Sequence, residues 1–427
     1  MSDLKIAIAG LGTVGGGTVN LLHQHADLLA ARTGRSLRLV ACAALEKPSD
    51  LPLDSVPFFT DARVMAKDAD YDVLIELIGG SSGVALDVVT TALGRGRHVV
   101  TANKAMVAHH GPKLAELAER EGVTFGFEAA VAGGIPVIKA LREGLAANRL
   151  SQVYGILNGT CNYILTTMRE TGREFADVLA EAQALGYAEA DPSFDIDGVD
   201  TAHKLSILTS LAFGTVVDFS KVHVEGIRHV SAFDIRSAEE LGYRIKLLGI
   251  ARRTEAGIEQ RVHPCMVPLK SSIASVEGVF NAVVAEGDFV GRTVLEGRGA
   301  GATPTASAVV ADLLDIAAGR HTPTFGVPAK ALVPLDAAPM EQHRGSFYIR
   351  LTVLDRPGVF ADIAAALRDE AVSMEAILQR GRAPGETVPV VMTVHDTLER
   401  SMTRAAARIQ AIHEVVEPPH LIRIESF

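Results

Sequence analysis

Tryptophan is absent from the 427-residue chain and only 5% of it is aromatic, so the stacking platforms on which single-stranded nucleic acids lie are scarce. A basic excess is missing too. With 41 Lys plus Arg against 51 Asp plus Glu, the net charge is −10, and neither nucleic acids nor anionic membranes attract such a surface. A small-molecule partner is the better expectation. Cysteine is sparse: Cys42, Cys161 and Cys265 are odd in number and far apart, which excludes a disulfide framework and paired zinc spacing and fits a reducing cytoplasm. No run reaches the roughly 18 uninterrupted apolar residues of a membrane span, and Asp3 stands where a secretory signal carries positive charge. What the chain has in excess is glycine. Its 39 residues exceed the roughly 7% of average usage.

The 48% hydrophobic share fits a cored protein, and a prior of about 150 residues per domain gives two or three units. KIAIAG is a short apolar run closed by glycine, followed by an apolar-periodic stretch from Thr13 to Leu29, so strand, tight turn and helix are expected in that order. The alternation continues through LRLVACA, VLIELIGG, RHVVTANK and VTFGFEA, with helices expected between them from Gly83 to Leu93 and from Pro112 to Glu121. Strands alternating with helices predict parallel βαβ units, hence a doubly wound α/β domain over residues 1–130. Past Gly133, longer helices mixed with strands and turns predict an α+β domain over residues 131–320, with a long helix from near Thr303. Pro323, Pro328, Pro334 and Pro339 mark 321–345 as a linker. Beyond it, SFYIRLTVL to PHLIRIESF reads as βαββαβ, a self-contained ferredoxin-like unit over residues 346–427.

Gly10, Gly12 and Gly15 form GxGxxG directly after a strand and at the start of a helix, the context that marks a dinucleotide site. Gly10 permits the tight turn, Gly12 lets backbone N–H groups approach a pyrophosphate, and Gly15 allows close helix packing. A Rossmann-like domain is therefore expected. The second strand, where the choice between NAD and NADP is normally made, ends in Ala43, Ala44 and Leu45 with Glu46 and Lys47 beyond. With no guanidinium there, use of both cofactors is expected.

The densest cluster of ionisable groups is GYAEADPSFDIDGVDTAHKLSILTSLAFG. A calcium loop is excluded, because counting from Asp195 and Asp197 puts Lys204 where the bidentate acid belongs. On a helix, Asp200 and Lys204 share a stripe with Ile207, Leu208 and Leu211, while Ala202, His203, Ser206 and Thr209 fall opposite. The charged pair therefore faces inward. Inward charges are costly unless paired or functional, so this pair is a candidate for proton transfer and substrate binding.

Together GLGTVG, VVTANK, EAAVAGGIP, GILNGTCNYIL, LGYAEADPSFDIDGVDTAHKL and GAGATPTASAVVADL resemble the homoserine dehydrogenase family over nearly the whole chain. The resemblance implies interconversion of aspartate semialdehyde and homoserine with NADP or NAD, on the route to threonine, methionine and isoleucine. It implies Lys204 as the acid/base, with Asp200 beside it and Lys104 as a second lysine near hydride transfer; sequence does not choose between the lysines, and the inward stripe favours Lys204. Glu189, Asp195 and Thr160 would hold the substrate. Gly10, Gly12, Thr13, Val14 and Gly15, with Ser81, Lys104, Gly186 and Gly301, would line the cofactor, the helix after Gly301 returning to the cofactor domain. Glu128, Val131, Gly133 and Ile135 match a structural site for a monovalent cation, sodium by its oxygen ligands. Residues 131–320 would also dimerise, giving a dimer or tetramer in the cytoplasm.

TVLDRPGVFADIAAAL resembles the signature of ACT domains, which bind amino acids, and implies feedback sensing of threonine. Two other readings stay open: another amino-acid dehydrogenase on the same scaffold, or a non-catalytic amino-acid-sensing regulator. The regulator has no need of an inward lysine.

Overall fold

The computed structural model describes residues 3–379 and 386–427. Six strands, β1 (Leu4–Ala9), β2 (Leu37–Ala43), β3 (Phe58–Phe59), β4 (Val73–Glu76), β5 (His98–Thr101) and β6 (Phe125–Gly126), form one parallel sheet in the order β3-β2-β1-β4-β5-β6. Helices cover both faces, which is why residues 6–9 of β1 and 73–75 of β4 are unbroken buried apolar runs rather than alternating. This is the doubly wound order, with its ligand crevice at the carboxyl ends of β1 and β4 where the order reverses.

Three local expectations differ from the structure. The helical stretch from Thr13 breaks at His25 into Thr13–Gln24 and Ala26–Thr33, each burying its own apolar residues, Val19 and Leu22 in the first and Leu29 in the second. The helix expected from Pro112 starts at Lys104, because the Asn103 side chain accepts the Met106 N–H at 3.0 Å and caps it there. Lys104 is thus a first-turn helix residue and not the end of a strand. VTFGFEA yields only the two-residue β6, since Glu128–Ala130 already turns as a 3-10 helix.

The second sheet is mixed. β7 (Leu150–Ile156), β8 (His223–Val224), β9 (Tyr243–Thr254), β10 (Gly257–Pro268), β11 (Phe280–Gly287), β12 (Gly291–Arg298), β13 (Arg344–Leu354), β14 (Met374–Gln379), β15 (Thr387–Leu398) and β16 (His420–Ile424) run in the order β12-β11-β7-β9-β10-β16-β13-β15-β14, with β8 beside β10. The last four strands and the helices Val359–Asp369 and Glu399–Gln410 follow the chain order βαββαβ. They are not self-contained. β16 pairs in parallel with β10, Cys265 opposite Arg423, so a single sheet runs through both parts of the chain. A buried charge network crosses that joint: Arg261 bonds Glu425 and, at 3.1 Å, Glu259, while Arg423 bonds Glu399 and Glu225. Residues 321–345 are also pinned to the body, with Phe325 buried 5.3 Å from the Phe127 ring. No helix among the described residues is long and apolar enough to cross a membrane.

Candidate active site

The three fingerprint glycines do three different things. Gly10 has φ +102°, and a Cβ there would lie 2.5 Å from the Leu77 carbonyl oxygen at the end of β4. A Cβ on Gly15 would meet the Gly10 carbonyl oxygen at 2.1 Å. Gly12 is exposed with open space around it, and as N-cap of Thr13–Gln24 it leaves the helix without a side-chain cap. Uncapped N–H groups at a helix start are what a pyrophosphate binds, so the loop fits a dinucleotide. Thr13 is exposed and Val14 half-buried in the first turn. The motif does not disclose Gly17, whose Cβ would come 2.7 Å from the Ala302 carbonyl oxygen. That contact lets the helix Ala302–Ala317, which Gly301 opens, lie against the glycine helix.

The ends of β4 and β5 are tied by a buried acid within the apolar VLIE run. Glu76 accepts the Ile78 and Gly79 N–H groups through one oxygen and the Thr101 hydroxyl through the other at 2.6 Å. Asn103 donates to the Gly80 carbonyl at 2.7 Å. These bonds fix the loop bearing Ser81, which is half-buried, against the start of the helix Lys104–Arg120.

Across the crevice lies a cleft of about 400 Å³ lined by Lys104, Asn158, Thr160, Gly186, Asp195, Asp200, Lys204, Asn281, Arg298 and Gly301 among others. The helix Val199–Phe213 passes beneath it and is buried on every side from Asp200 to Leu211. The polar face expected at His203, Ser206 and Thr209 is therefore also inside, because helices and sheet enclose this element all round. Asp200 accepts from Lys204 at 2.7 Å on one oxygen and pairs with Lys104 at 2.9 Å on the other. Lys204 also donates to the Leu157 carbonyl at 2.7 Å. Burial disfavours the Asp200 charge, yet the two ammonium groups overcome it and hold its pKa well below the carboxylate range. Burial likewise works against the Lys104 charge, but Asp200, Asp195 and Glu189 raise its pKa above the ordinary value. Asp195 is shifted upward by burial and by Asp200.

Asn158 organises these acids, a role sequence reasoning missed. It caps the helix Gly159–Thr171 by accepting the Cys161 N–H, and its Nδ2 donates to Asp195 and to Asp200, each at 2.8 Å. The signal was the N-cap asparagine of the NGT turn. Thr160, next along, donates to the Tyr187 carbonyl at 2.8 Å. Glu189 is the expected residue that does not line the cleft: it is exposed beyond Tyr187, acting on Lys104 through its charge.

Glu128 is buried, and its carboxylate accepts the Ile138 and Lys139 N–H groups at 2.9 and 2.8 Å. Burial and nearby Asp312 push its pKa up to about 7. The Ile135 carbonyl accepts from Val137, whereas among the described residues no hydrogen bond reaches the carbonyls of Val131 and Gly133. Two free carbonyls beside a carboxylate are oxygen donors of the kind that hard cations take. Elsewhere, His263, Cys265 and Glu425 place their ligand atoms within 4.8 Å of one another, but Arg261 donates to Glu425 and contacts His263, so a guanidinium already fills that position.

Comparison with known proteins agrees with this geometry. The family profile "Homoserine dehydrogenase, NAD binding domain" matches residues 10–128, and "Homoserine dehydrogenase" matches residues 136–314. The homoserine dehydrogenase of Neisseria gonorrhoeae is 48% identical over all of this chain and 99% of its own. The crystal structure of a homoserine dehydrogenase from Thiobacillus denitrificans superposes with a TM-score of 0.93 at 46% identity, covering 100% of this chain and 99% of that one. A hyperthermophilic archaeal homoserine dehydrogenase in complex with NADPH superposes with a TM-score of 0.64 at 26% identity, covering 76% of this chain and 100% of that one. A glycine loop ending in an uncapped helix, a buried carboxylate shared by two lysines, and identity along the full length lead to one conclusion: the chain belongs to the homoserine dehydrogenase family of NAD(P)-dependent oxidoreductases.

Proposed function

We propose that Lys204 is the proton donor and acceptor of the reaction, and that Asp200 and Lys104 set its position and charge. The observation carrying this reading is the Asp200 carboxylate held between the two ammonium groups in the cleft. A nicotinamide cofactor held by the glycine loop would supply hydride to the aldehyde carbon, or take it from the alcohol carbon in the reverse direction. As negative charge grows on the aldehyde oxygen, an ammonium group held by Asp200 stabilises it and donates its proton. Because Asp200 and the Leu157 carbonyl take two of the three Lys204 N–H bonds, the third is left for the substrate oxygen. Asp195 and Thr160 bind the substrate, Asp195 through its ammonium group, and Glu189 favours that ammonium by its charge from outside the cleft. Gly10, Gly12, Thr13, Val14 and Gly15, with Ser81, Gly186 and Gly301, take NADP or NAD. Lys204→Met should lower kcat for aspartate semialdehyde reduction by roughly 10²-fold or more while NADPH binding persists; near-normal turnover would refute the assignment.

The same reading assigns domains 1–130, 131–320 and 346–427 to cofactor, substrate and regulation, with 321–345 between them. Val131 and Gly133 would present their carbonyls to a sodium ion near Glu128 and Ile135. Its charge would ease the crowding of the Glu128 and Asp312 carboxyls that raises the Glu128 pKa. The βαββαβ segment is read as an ACT domain that senses threonine, supported by its element order and by Asp355, Pro357 and Gly358 at its first strand-to-helix turn. A cytoplasmic dimer or tetramer completes the reading. Millimolar threonine should change the rate or the melting temperature, and no change in either contradicts the sensor role.

A further inference from the structure

The cleft contains a buried amide that neither the proton-transfer chemistry nor the fold accounts for. Asn281, at the start of β11, is 1% exposed and lines the cleft with Lys104, Asp200 and Lys204. Among the described residues neither its Nδ2 nor its Oδ1 has a hydrogen-bond partner. Leaving a buried donor or acceptor unsatisfied costs about 1–3 kcal/mol, so a carboxamide kept in this state calls for a reason. The backbone makes room for it. A Cβ on Gly299 would come 2.1 Å from Nδ2, and a Cβ on Gly159 would come 3.5 Å from Oδ1. Two glycines from different segments thus flank an amide that bonds to none of the described residues.

Charge identifies the ligand group. The acids of the cleft lie on the segment around the helix Val199–Phe213, and they already engage Lys104, Lys204 and Asn158. Arg298, at the end of β12 and in register with Phe280, is exposed at the rim of the same cleft, with the Phe280 ring at 5.7 Å. The free amide N–H inside the cleft is a donor for a carboxylate oxygen, and the exposed guanidinium at the rim adds positive charge nearby. We propose that Asn281 binds the α-carboxylate of the amino-acid substrate through Nδ2 and thereby orients its side-chain carbon over the lysine pair. This rests on the reading of the cleft as the substrate site. Asn281 is a positioning and specificity residue: it moves no proton.

The test compares two inhibitors that differ only in the carboxylate. L-2-Aminobutyrate is homoserine without its hydroxyl, and propan-1-amine is the same molecule without the carboxylate; both keep the ammonium, so its recognition cancels in the ratio of their inhibition constants. In the unmodified enzyme L-2-aminobutyrate should inhibit homoserine oxidation far better than propan-1-amine. Asn281→Asp, which replaces the donor with a charged oxygen of the same shape, should narrow that ratio about tenfold or more and raise KM for homoserine, with NADPH affinity unchanged. An unchanged ratio overturns the proposal. Should Asn281→Asp fail to fold, Asn281→Ser is read in the same way. Failure of the unmodified enzyme to oxidise homoserine would instead overturn the reading of the cleft.

Discussion

Asp200 and Lys204 sit one helical turn apart with Oδ2 and Nζ separated by 2.7 Å, and both are almost wholly withdrawn from solvent. A surface pair at this spacing contributes a few tenths of a kcal/mol. Here Lys104, within the residues matched by the NAD-binding profile, reaches the other oxygen of Asp200, so the carboxylate ties the two profile-matched regions together. A buried anion with two cationic partners is the geometry that the proposed proton transfer requires.

Asp200→Asn removes the anion that raises the Lys104 pKa and leaves the burial that lowers it. Lys104 should then lose its proton at lower pH than in the unmodified protein. The alkaline limb of the kcat/KM profile should move to lower pH, together with a fall in rate. A profile whose alkaline limb stays in place would contradict the pairing.

Two glycines of one motif should fail in different ways. Gly15→Ala drives a Cβ into the Gly10 carbonyl and should lower stability by about 1–3 kcal/mol, visible as a lower melting temperature. Gly12→Ala meets nothing within 4 Å and should leave stability within about 0.5 kcal/mol while weakening NADPH binding. Equal melting losses in the two variants would contradict the division of roles.

Leu45, just beyond β2, is 91% exposed, and no arginine follows it before Arg63. Nothing at that strand end offers a guanidinium to a 2′-phosphate. Both NADPH and NADH should therefore support turnover. A kcat/KM preference for NADPH above about a thousandfold, or roughly 4 kcal/mol, would show that another group reads the phosphate.

The joint between β10 and β16 depends on Arg261. Burial raises the cost of the Glu425 charge, but Arg261 and His343 hold its pKa below the usual value. A carboxyl depressed in this way contributes stability that is complete above its unfolded pKa of about 4.3 and is lost as pH falls through the folded value. Arg261→Met should cost about 3–5 kcal/mol near neutrality, because it strands a buried carboxylate. Thermal melts across pH 3 to 7 test this; a variant with an undiminished melting temperature at pH 7 would show that Glu425 is satisfied without Arg261.

The parallel sheet was legible because strands covered on both faces read as continuous apolar runs, and LRLVACA matches β2 residue for residue. The helix starting at Lys104 was not legible from periodicity, since a cap at Asn103 set its beginning. Nor was the joint at β10 and β16 visible, because strand pairing between residues some 160 positions apart leaves no local pattern. At the site, Asp200 and Lys204 were read correctly as inward, although the reasoning assumed an outward face that the enclosed helix does not have. Asn158, Glu76 and Asn281 act through tertiary contacts, and a single polar residue beside a turn or inside a strand does not announce its partner.

Whether this cleft oxidises homoserine is decided by the rate of cofactor reduction on adding L-homoserine, with NADP+ and NAD+ in turn. Homoserine-dependent reduction that saturates with substrate and collapses in Lys204→Met is the expected result. A folded, NADPH-binding protein that shows no homoserine-dependent reduction with either cofactor would contradict the account.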